Sequence, residues 1–218
     1  GRLNLDPAID NQGTTWSTLG FSLSGQTVEQ LTVTGSVSLS TKRFELEASL
    51  RGLDFQPQLF ALFPEQLTED RWWSESVDSL SMQLSFSLSA SGSMDNLADT
   101  IFEIHGNVSG GRFAHKELPF PLADISADFT ANQTGFEVQS VVARSGGSQF
   151  QGSLKVKGWS EQSDYECLLE AEQLIVSRQW QPFLPPDLQG HWQKLLPEGE
   201  VDLRAEVERK NGCTIPKV

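Results

Sequence analysis

The sequence predicts an all-β fold in which the strands form one long, curved antiparallel sheet. Three observations carry this prediction: apolar and polar residues alternate along nearly the whole chain, turn sequences separate the alternating runs, and only two short stretches have apolar residues at helical spacing. Strict alternation places the apolar side chains on one face of each strand. We therefore expect one apolar face, which forms either a half-open groove or a surface covered by a second sheet.

The charge and composition of the 218 residues limit the class of partner. The formal net charge is −13, so the chain repels phosphate backbones, and its longest basic cluster is the pair Arg209 and Lys210. With 38% hydrophobic and 21% charged residues, the chain is too apolar for a disordered tail. The sequence therefore predicts a folded protein with no nucleic-acid partner.

The longest alternating run predicts a strand of at least about ten residues. It extends from Leu80 to Ala90, with apolar residues at even positions and mainly serine at odd positions. Eight further runs follow the same rule and predict further strands. They begin and end at Leu31 and Leu39, Phe44 and Leu50, Phe102 and Val108, Ile125 and Ala131, Phe136 and Val138, Phe150 and Val156, Tyr165 and Ala171, and Val201 and Val207.

Four short segments supply residues that readily adopt the positive φ angles of hairpin turns. They are Gly110-Gly111, Asn132-Gln133-Thr134-Gly135, Ser145-Gly146-Gly147 and Asn211-Gly212. Because these segments separate alternating runs, we predict a meander of antiparallel hairpins.

Two stretches, residues 57–67 and residues 179–188, break the alternation and carry apolar residues at helical spacing. Pro64 interrupts the first stretch and Pro182 interrupts the second. Since proline breaks a helix in its interior, each stretch predicts a short helical crossing rather than a long helix.

The two predicted crossings belong to an internal repeat. Similar residues recur at a constant separation of 121 positions, and the strand before each crossing matches at the same separation. We interpret residues 1–218 as a single β-rich fragment of a larger protein, with a little under two repeats of about 120 residues that are equivalent over approximately residues 28–92 and 147–209. The matching pairs are Leu53 with Leu174, Leu62 with Phe183, Phe63 with Leu184, Pro64 with Pro185, and Leu67 with Leu188.

No pattern in the sequence predicts catalysis or cofactor binding. Serine is abundant, but the Gly-x-Ser-x-Gly motif of a hydrolase is absent, and the paired glycines lack the context of a phosphate-binding loop. Acidic pairs such as Glu45 with Glu47 share the outer face of a strand and predict a solvated surface rather than the carboxylates of a glycosidase. The sequence therefore predicts a protein that is not an enzyme and has no cofactor.

The histidines and cysteines predict no metal site. His105, His115 and His191 lie in different segments, and Cys167 and Cys213 are far apart, whereas metal ligands normally come in closely spaced pairs. His105 falls on the predicted polar face and should be exposed. Cys167 falls on the apolar face, where we expect a small buried residue, with a disulfide to Cys213 as the alternative in an oxidising compartment.

Three segments resemble a known group of proteins. They are residues 118–129 (LPFPLADISADF), 135–138 (GFEV) and 143–154 (ARSGGSQFQGSL), which give a strand, a polar turn, a strand ending in a glycine-rich turn, and a strand with a central glycine. Together with the crossings Leu53–Leu67 and Leu174–Leu188, this pattern is similar to that of the AsmA-like and TamB-like bacterial envelope proteins. The resemblance implies a repeating β-groove that carries phospholipid between membranes. It also implies a periplasmic location, with a full-length protein that is anchored in the inner membrane and contacts membranes through parts outside this sequence.

The apolar face is the predicted binding site, and its ligand is a phospholipid or another acyl-chain lipid. Nearly every strand contributes apolar residues, while only two short crossings are available to cover them, and large bare apolar surfaces mark binding sites. The residues predicted to contact acyl chains are Leu46, Leu50, Leu84, Phe86, Leu88, Phe129 and Leu154.

Two other functions compete with lipid binding. The first is an extracellular or periplasmic β-sandwich module that binds carbohydrate or protein, for which Trp72, Trp73 and Trp192 offer a sugar platform, although packing of the crossings on the sheet is the simpler interpretation of these residues. The second is a purely structural scaffold. A second sheet over the apolar face would favour the sandwich.

Overall fold

The computed structural model describes residues 2–9, 15–55, 80–115, 118–160, 162–183, 186–195, 198–210 and 213–217. Within these residues twelve strands form one antiparallel sheet, and the order of the strands across the sheet is their order along the chain. The predicted all-β fold, a curved antiparallel meander, is confirmed. The strands are β1 (Arg2–Ile9), β2 (Thr15–Leu23), β3 (Val28–Ser38), β4 (Arg43–Phe55), β5 (Leu80–Ser93), β6 (Asn96–Phe113), β7 (Leu122–Asn132), β8 (Gly135–Ser145), β9 (Ser148–Lys157), β10 (Asp164–Val176), β11 (Gly199–Lys210) and β12 (Cys213–Lys217).

The sheet is open rather than closed on itself. Among the described strands, β1 pairs only with β2 and β12 pairs only with β11. The accessible surface is 15012 Å², whereas a compact protein of 24.1 kDa exposes about 10,000 Å². A single layer of strands contributes to this excess, because no second sheet among the described residues covers either face.

Two hairpin turns use the residues that the sequence predicts. Turns at Gln133-Thr134 and Gly146-Gly147 join β7 to β8 and β8 to β9. In the first turn, the side-chain oxygen of Asn132 accepts a hydrogen bond of 2.8 Å from the backbone N–H of Thr134, which replaces a backbone contact as Asn commonly does in turns. The predicted turn at Asn211-Gly212 lies outside the described residues.

The prediction of a turn at Gly110-Gly111 is wrong. Both residues lie inside β6, which pairs with β5 and with β7 on either side of them. Gly110 has a φ of 61° and marks a β-bulge, at which β6 carries an extra residue relative to its neighbours. Bulges and hairpin turns can both use a glycine in the left-handed region, so the glycine pair by itself did not distinguish them.

The alternating runs locate the strands well but misplace one end. The run from Leu80 to Ala90 lies within β5, a strand of 14 residues. In contrast, β3 ends at Ser38, and Leu39 lies in the following turn with 76% of its surface exposed. The hydroxyl oxygen of Ser38 accepts hydrogen bonds from the backbone N–H and the side chain of Thr41, which stabilise the turn at this point. Leu39 is therefore not part of the apolar face.

The second crossing is more helical than the sequence predicts. A 3-10 helix (Arg178–Phe183) is followed by an α-helix of ten residues, α1 (Pro186–Leu195). Pro186 does not interrupt α1 because it occupies the first turn, where its missing N–H has no helical partner. The first crossing, at residues 57–67, lies outside the described residues. No helix in the described ranges is long and apolar enough to cross a membrane.

The strands that precede the two crossings have matching features. β4 and β10 each contain 13 residues and begin 121 positions apart, at Arg43 and Asp164. Each strand has a shift in register at a corresponding place, after Leu50 in β4 and after Ala171 in β10. The division of the whole chain into two repeats stays a prediction.

Candidate functional site on the apolar face

One face of the sheet carries an unbroken line of apolar residues that runs across the strands. Residues opposite each other in a sheet point to the same face, so the registers of successive strand pairs define this line. It passes through every strand from β2 to β12, which at about 4.8 Å between strands makes it about 48 Å long. We call it the central apolar row. Its members are Leu23, Leu31, Leu50, Phe86, Gly106, Phe129, Val138, Leu154, Cys167, Val207 and Pro216.

Three further rows lie parallel to the central apolar row on the same face, which we call the apolar face. They too consist almost wholly of apolar residues and glycine. The first contains Val28, Leu53, Leu84, Val108, Ala127, Val141, Gly152, Leu169 and Ala205; the second contains Phe21, Val33, Ala48, Leu88, Ile104, Ala131, Phe136, Val156 and Tyr165 and ends at the charged Arg209; the third contains Leu19, Gly35, Leu46, Ala90 and Phe102.

The structure brings all seven sequence-predicted lipid-contacting residues to the apolar face. Leu50, Phe86, Phe129 and Leu154 lie in the central apolar row, and Leu46, Leu84 and Leu88 lie in the three flanking rows. Leu50 is 6% exposed, and the other six are half-buried. Neighbouring side chains of the same face supply this partial burial, since the described residues place no second sheet against them.

Two aromatic rings of the apolar face occupy the space left by a glycine on the neighbouring strand. Gly106 faces Phe129 in the central apolar row, and a Cβ built on Gly106 would overlap the Phe129 ring. The ring therefore occupies the space above Gly106 that a side chain would fill. Phe44 covers Gly92 in the same way, at 3.1 Å from the position of a Cβ. Each of these glycines thus makes room for the large side chain opposite it.

Aromatic clusters lie at both ends of the strands that form the apolar face. At one end, the Phe120 ring lies 5.3 Å from the Phe150 ring and 5.4 Å from the Trp180 ring, measured between centroids. At the other end, Trp159 lies 6.2 Å from Phe102. Both indole N–H groups donate to backbone carbonyls, at 3.0 Å for Trp180 and 2.9 Å for Trp159. The N–H group of each indole is therefore hydrogen-bonded, and each ring packs against a phenylalanine ring.

The opposite face of the sheet is polar and carries cross-strand ion pairs. Lys155 Nζ lies 3.0 Å from Glu137, and Lys157 Nζ lies 3.1 Å from Glu166. Arg204 donates to Glu206 and to Glu170, each at 2.8 Å. The hydrogen bond to Glu206 and the charge of Glu170 raise the pKa of Arg204 above its ordinary value. Charge is therefore concentrated on the face away from the central apolar row.

A depression of about 660 Å³ lies on the polar face over β8 to β11. Its charged side chains pair with one another, as in Lys155 with Glu137 and Lys210 with Glu208. Because these pairs satisfy their own charges, the described residues of the depression present no unmatched group to a charged ligand. The apolar face is the stronger candidate site.

The described residues contain no cluster of three or more His, Cys, Asp or Glu side chains that could hold a metal. His105 is exposed on the polar face, as predicted, and its Nε2 lies 2.9 Å from Glu103. His115 stacks on Phe113, and His191 is exposed on α1.

Both cysteines have free thiols, so the disulfide alternative is not observed. Cys167 faces Leu154 and Val207 on the apolar face, as the alternation predicts, but it is half-buried rather than buried. Of the three tryptophans considered as a sugar platform, Trp192 is half-buried in α1, while Trp72 and Trp73 lie outside the described residues.

The sequence pattern missed part of the site. The pattern did not predict β2, although Leu19, Phe21 and Leu23 lie at alternate positions and could have indicated it. Gly106 was missed because a glycine carries no apolar signal, and only the register places it between Phe86 and Phe129.

Comparison with protein-family models, with curated proteins and with solved structures found no match to this chain. The resemblance to the AsmA-like and TamB-like proteins therefore stays a prediction that rests on the sequence pattern.

Proposed function

We propose that the apolar face binds the acyl chains of lipids and that the chain has no catalytic role of its own. The observation that carries the proposal is the central apolar row, which crosses eleven strands without a charged residue. Its only polar atom in a side chain is the thiol of Cys167, a weak hydrogen-bond donor. Such a surface offers no directional contacts to a sugar or a charged metabolite.

The dimensions of the central apolar row support a ligand made of hydrocarbon. The row is about 48 Å long, while one leaflet of a bilayer's hydrocarbon core is about 15 Å thick. Several acyl chains could therefore lie end to end on the row. Each CH₂ group removed from water contributes about 0.8 kcal/mol, so one chain gains considerable free energy without a single hydrogen bond.

A β-sandwich module has less support. In a sandwich two sheets pack face to face and cover each other's apolar residues. All twelve described strands belong to one sheet, and its apolar face carries half-buried leucines and phenylalanines. The lipid proposal gives this face a ligand, whereas the sandwich proposal needs a second sheet.

In the full proposal the chain is a segment of a larger lipid conduit of the bacterial envelope. Its periplasmic location, inner-membrane anchor and phospholipid cargo come from the resemblance to AsmA-like and TamB-like proteins. The supporting structural feature is the meander itself, because a sheet whose strands follow each other in sequence can be lengthened by adding further strands.

The test places a charge in the middle of the central apolar row. Phe86→Glu puts a carboxylate where an acyl chain would lie, and Ser87→Glu is the matched control, since Ser87 is the next residue of β5 and is exposed on the polar face. Lipid that co-purifies with each variant is extracted and quantified, and transfer of a fluorescent phospholipid between vesicles is followed. Circular dichroism confirms that both variants are folded.

We expect Phe86→Glu to reduce bound lipid by more than about tenfold, because a carboxylate loses several kcal/mol of hydration in hydrocarbon. Ser87→Glu should bind lipid at the wild-type level. A folded Phe86→Glu variant that holds as much lipid as the wild type, or a wild type that holds none, would contradict the proposal.

A further inference from the structure

A second depression, of about 650 Å³, lies at one end of the strands, where the loop after β9 leads into β10. Its volume is within the range of about 300–1,000 Å³ that is usual for small-molecule sites. Side chains from both faces of the sheet line it, since Lys157 and Asp164 belong to the polar face and Arg209 belongs to the apolar face. The depression therefore joins the apolar face to the polar surface. We call it the loop depression.

Arg209 brings a positive charge to the border of the apolar face. It is the only charged residue in the four rows that define this face. It is half-buried and stands opposite Tyr165, whose side chain combines an apolar ring with a polar hydroxyl group. A guanidinium group presents a planar fork of N–H donors that matches the oxygens of a phosphate. The apolar face thus ends in a phosphate-binding type of side chain.

The loop that borders the depression has a hydrogen-bonded backbone. Gly158 has a φ of 101°, in the region that favours glycine, and donates its backbone N–H to the carbonyl of Thr134 at 2.7 Å. The backbone N–H of Ser160 donates to Ser163 Oγ at 2.9 Å, and the backbone N–H of Ser163 donates to the carbonyl of Ser160 at 3.0 Å. The loop therefore presents two hydroxyl groups, 3.3 Å apart, at the edge of the depression.

The charges of the loop depression suit a ligand that carries both signs. Lys157 is bound by Glu166 at 3.1 Å, so this pair adds no net charge. Arg209 and Asp164 add one positive and one negative charge. A purely anionic ligand is repelled by the carboxylate of Asp164 and by the net charge of −13 on the chain. A zwitterion with a phosphate and an ammonium group matches both side chains.

The apolar strip that begins at the loop depression has the length of an acyl chain. It follows the apolar-face residues of β10 from Tyr165 to Ala171, which span about 20 Å at about 3.3 Å per residue. One leaflet of a bilayer's hydrocarbon core is about 15 Å thick. Leu169, within the strip, is 43% exposed and accessible to a ligand. At the far end Phe150 stands opposite Ala171 and packs against Phe120, so the aromatic cluster bounds the strip there.

We infer that the loop depression binds the zwitterionic headgroup of a phospholipid, with the phosphate on Arg209 and the ammonium group on Asp164. The acyl chains of this lipid lie along β10 and its neighbouring strands on the apolar face. The inference rests on the proposed acyl-chain binding and adds a selection for the headgroup. A lipid with the same chains and no headgroup therefore binds less tightly.

The test offers the purified chain three lipids with identical oleoyl chains. Phosphatidylethanolamine is zwitterionic, phosphatidylglycerol is anionic, and diacylglycerol has no phosphate. The three are supplied as an equimolar mixture in detergent micelles, and the lipid that remains bound to the re-isolated protein is quantified by mass spectrometry.

Two variants remove the proposed contacts one at a time. Arg209→Gln removes the positive charge of the loop depression, and Asp164→Asn removes its negative charge. Arg144→Gln is the matched control, because Arg144 is exposed on the polar face of β8 at the other end of the strands. Circular dichroism establishes that each variant is folded.

We expect the wild type to retain about tenfold more phosphatidylethanolamine than diacylglycerol, because charge-assisted hydrogen bonds add to the burial of the chains. Arg209→Gln should lose most of this excess and retain diacylglycerol at the wild-type level. Asp164→Asn should retain phosphatidylglycerol as well as phosphatidylethanolamine, since the repelling carboxylate is gone. Arg144→Gln should select lipids as the wild type does.

Hydrogen–deuterium exchange of the wild type locates the headgroup without any variant. Phosphatidylethanolamine should slow amide exchange at residues 158–160 and 162–164, and diacylglycerol should not. Equal retention of the three lipids by the wild type, unchanged selection by a folded Arg209→Gln variant, or equal protection by diacylglycerol would overturn the inference and leave acyl-chain binding intact. Retention of none of the three lipids would contradict the proposed function itself, and the inference with it.

Discussion

Gly52 and Gln173 occupy the same place in two β-bulges that are 121 residues apart in the chain. Their φ angles are 57° and 54°, and each lies within the register shift of its strand, β4 or β10. Each donates its backbone N–H to a side-chain oxygen on the following strand at 3.0 Å, to Ser85 from Gly52 and to Asp202 from Gln173. The two bulges therefore share backbone conformation and hydrogen bonding, although one uses glycine and the other glutamine.

The first prediction concerns the strain at Gln173. A residue with a Cβ in the left-handed region costs about 1 kcal/mol or more, whereas glycine does not. Gln173→Gly should therefore raise the free energy of unfolding by ~1 kcal/mol, and the reciprocal Gly52→Ala should lower it. Urea denaturation followed by circular dichroism measures both.

The control for this prediction is Gln151→Gly, in the extended backbone of β9. There glycine only increases the freedom of the unfolded chain, so this variant should be destabilised. If Gln173→Gly loses as much stability as Gln151→Gly, the left-handed conformation of Gln173 imposes no cost.

The second prediction concerns the contact between Gly106 and the ring of Phe129. Gly106→Ala would place a methyl group in the space that the ring occupies, so the ring must leave its position over the backbone. We expect a loss of stability of about 1–3 kcal/mol, as is usual for overpacking. Gly20→Ala is the matched control in β2, because a Cβ there meets no atom within 4 Å.

Gly20→Ala should be neutral or slightly stabilising, since alanine restricts the unfolded chain more than glycine does. The midpoints of thermal unfolding of the two variants are compared. Their difference separates the general effect of replacing a glycine from the effect of the contact between residue 106 and Phe129. Equal midpoints for Gly106→Ala and Gly20→Ala would mean that Phe129 moves aside without cost.

The third prediction uses the two thiols as reporters. Cys167 lies half-buried in the central apolar row, and Cys213 is exposed. A charged thiol reagent should therefore label the Cys167→Ser variant, which retains Cys213, faster than the Cys213→Ser variant. Phospholipid in detergent micelles should slow the labelling of Cys167 further and leave that of Cys213 unchanged.

Mass spectrometry of the labelled protein over time gives both rates. Comparable rates for the two thiols in the native protein would place Cys167 outside the apolar face. Slower labelling of Cys213 on addition of lipid would point to general micelle association instead of binding along the central apolar row.

The fourth prediction concerns the aromatic cluster beside the second crossing. Phe120→Ala removes ring contacts to Phe150 and Trp180, at centroid distances of 5.3 and 5.4 Å. Because Phe120 is half-buried, we expect a loss of ~1–2 kcal/mol, below the range for a fully buried phenylalanine. Leu97→Ala, at an exposed position of β6, is the control and should change the denaturation midpoint little.

Trp fluorescence provides a second readout for Phe120→Ala, because Trp180 loses its aromatic neighbour. A red shift of the emission with only a small change in stability would show that the cluster orders the crossing more than it stabilises the sheet. An unchanged spectrum and an unchanged midpoint would contradict the packing that the structure shows.

Local patterns predicted most of the strands and the face of most of their apolar residues, because side chains alternate strictly along a strand. The alternation from Leu80 to Ala90 sufficed to place Leu84, Phe86 and Leu88 on one face. The same reasoning placed Cys167 on the apolar face and His105 on the polar face, as the registers show. It failed at Gly110-Gly111, because a left-handed glycine is suited to a bulge as well as to a turn.

The sequence by itself determined that this protein is a meander of amphipathic strands, since that property depends only on the order of neighbouring residues. Only the tertiary structure decided which residues of different strands stand opposite each other. Leu50, Phe86, Gly106 and Phe129 form one row because the pairing of β4 to β7, with its bulges, sets their register. Each bulge shifts that register by one or more residues, and the shift depends on contacts between strands that no local pattern records.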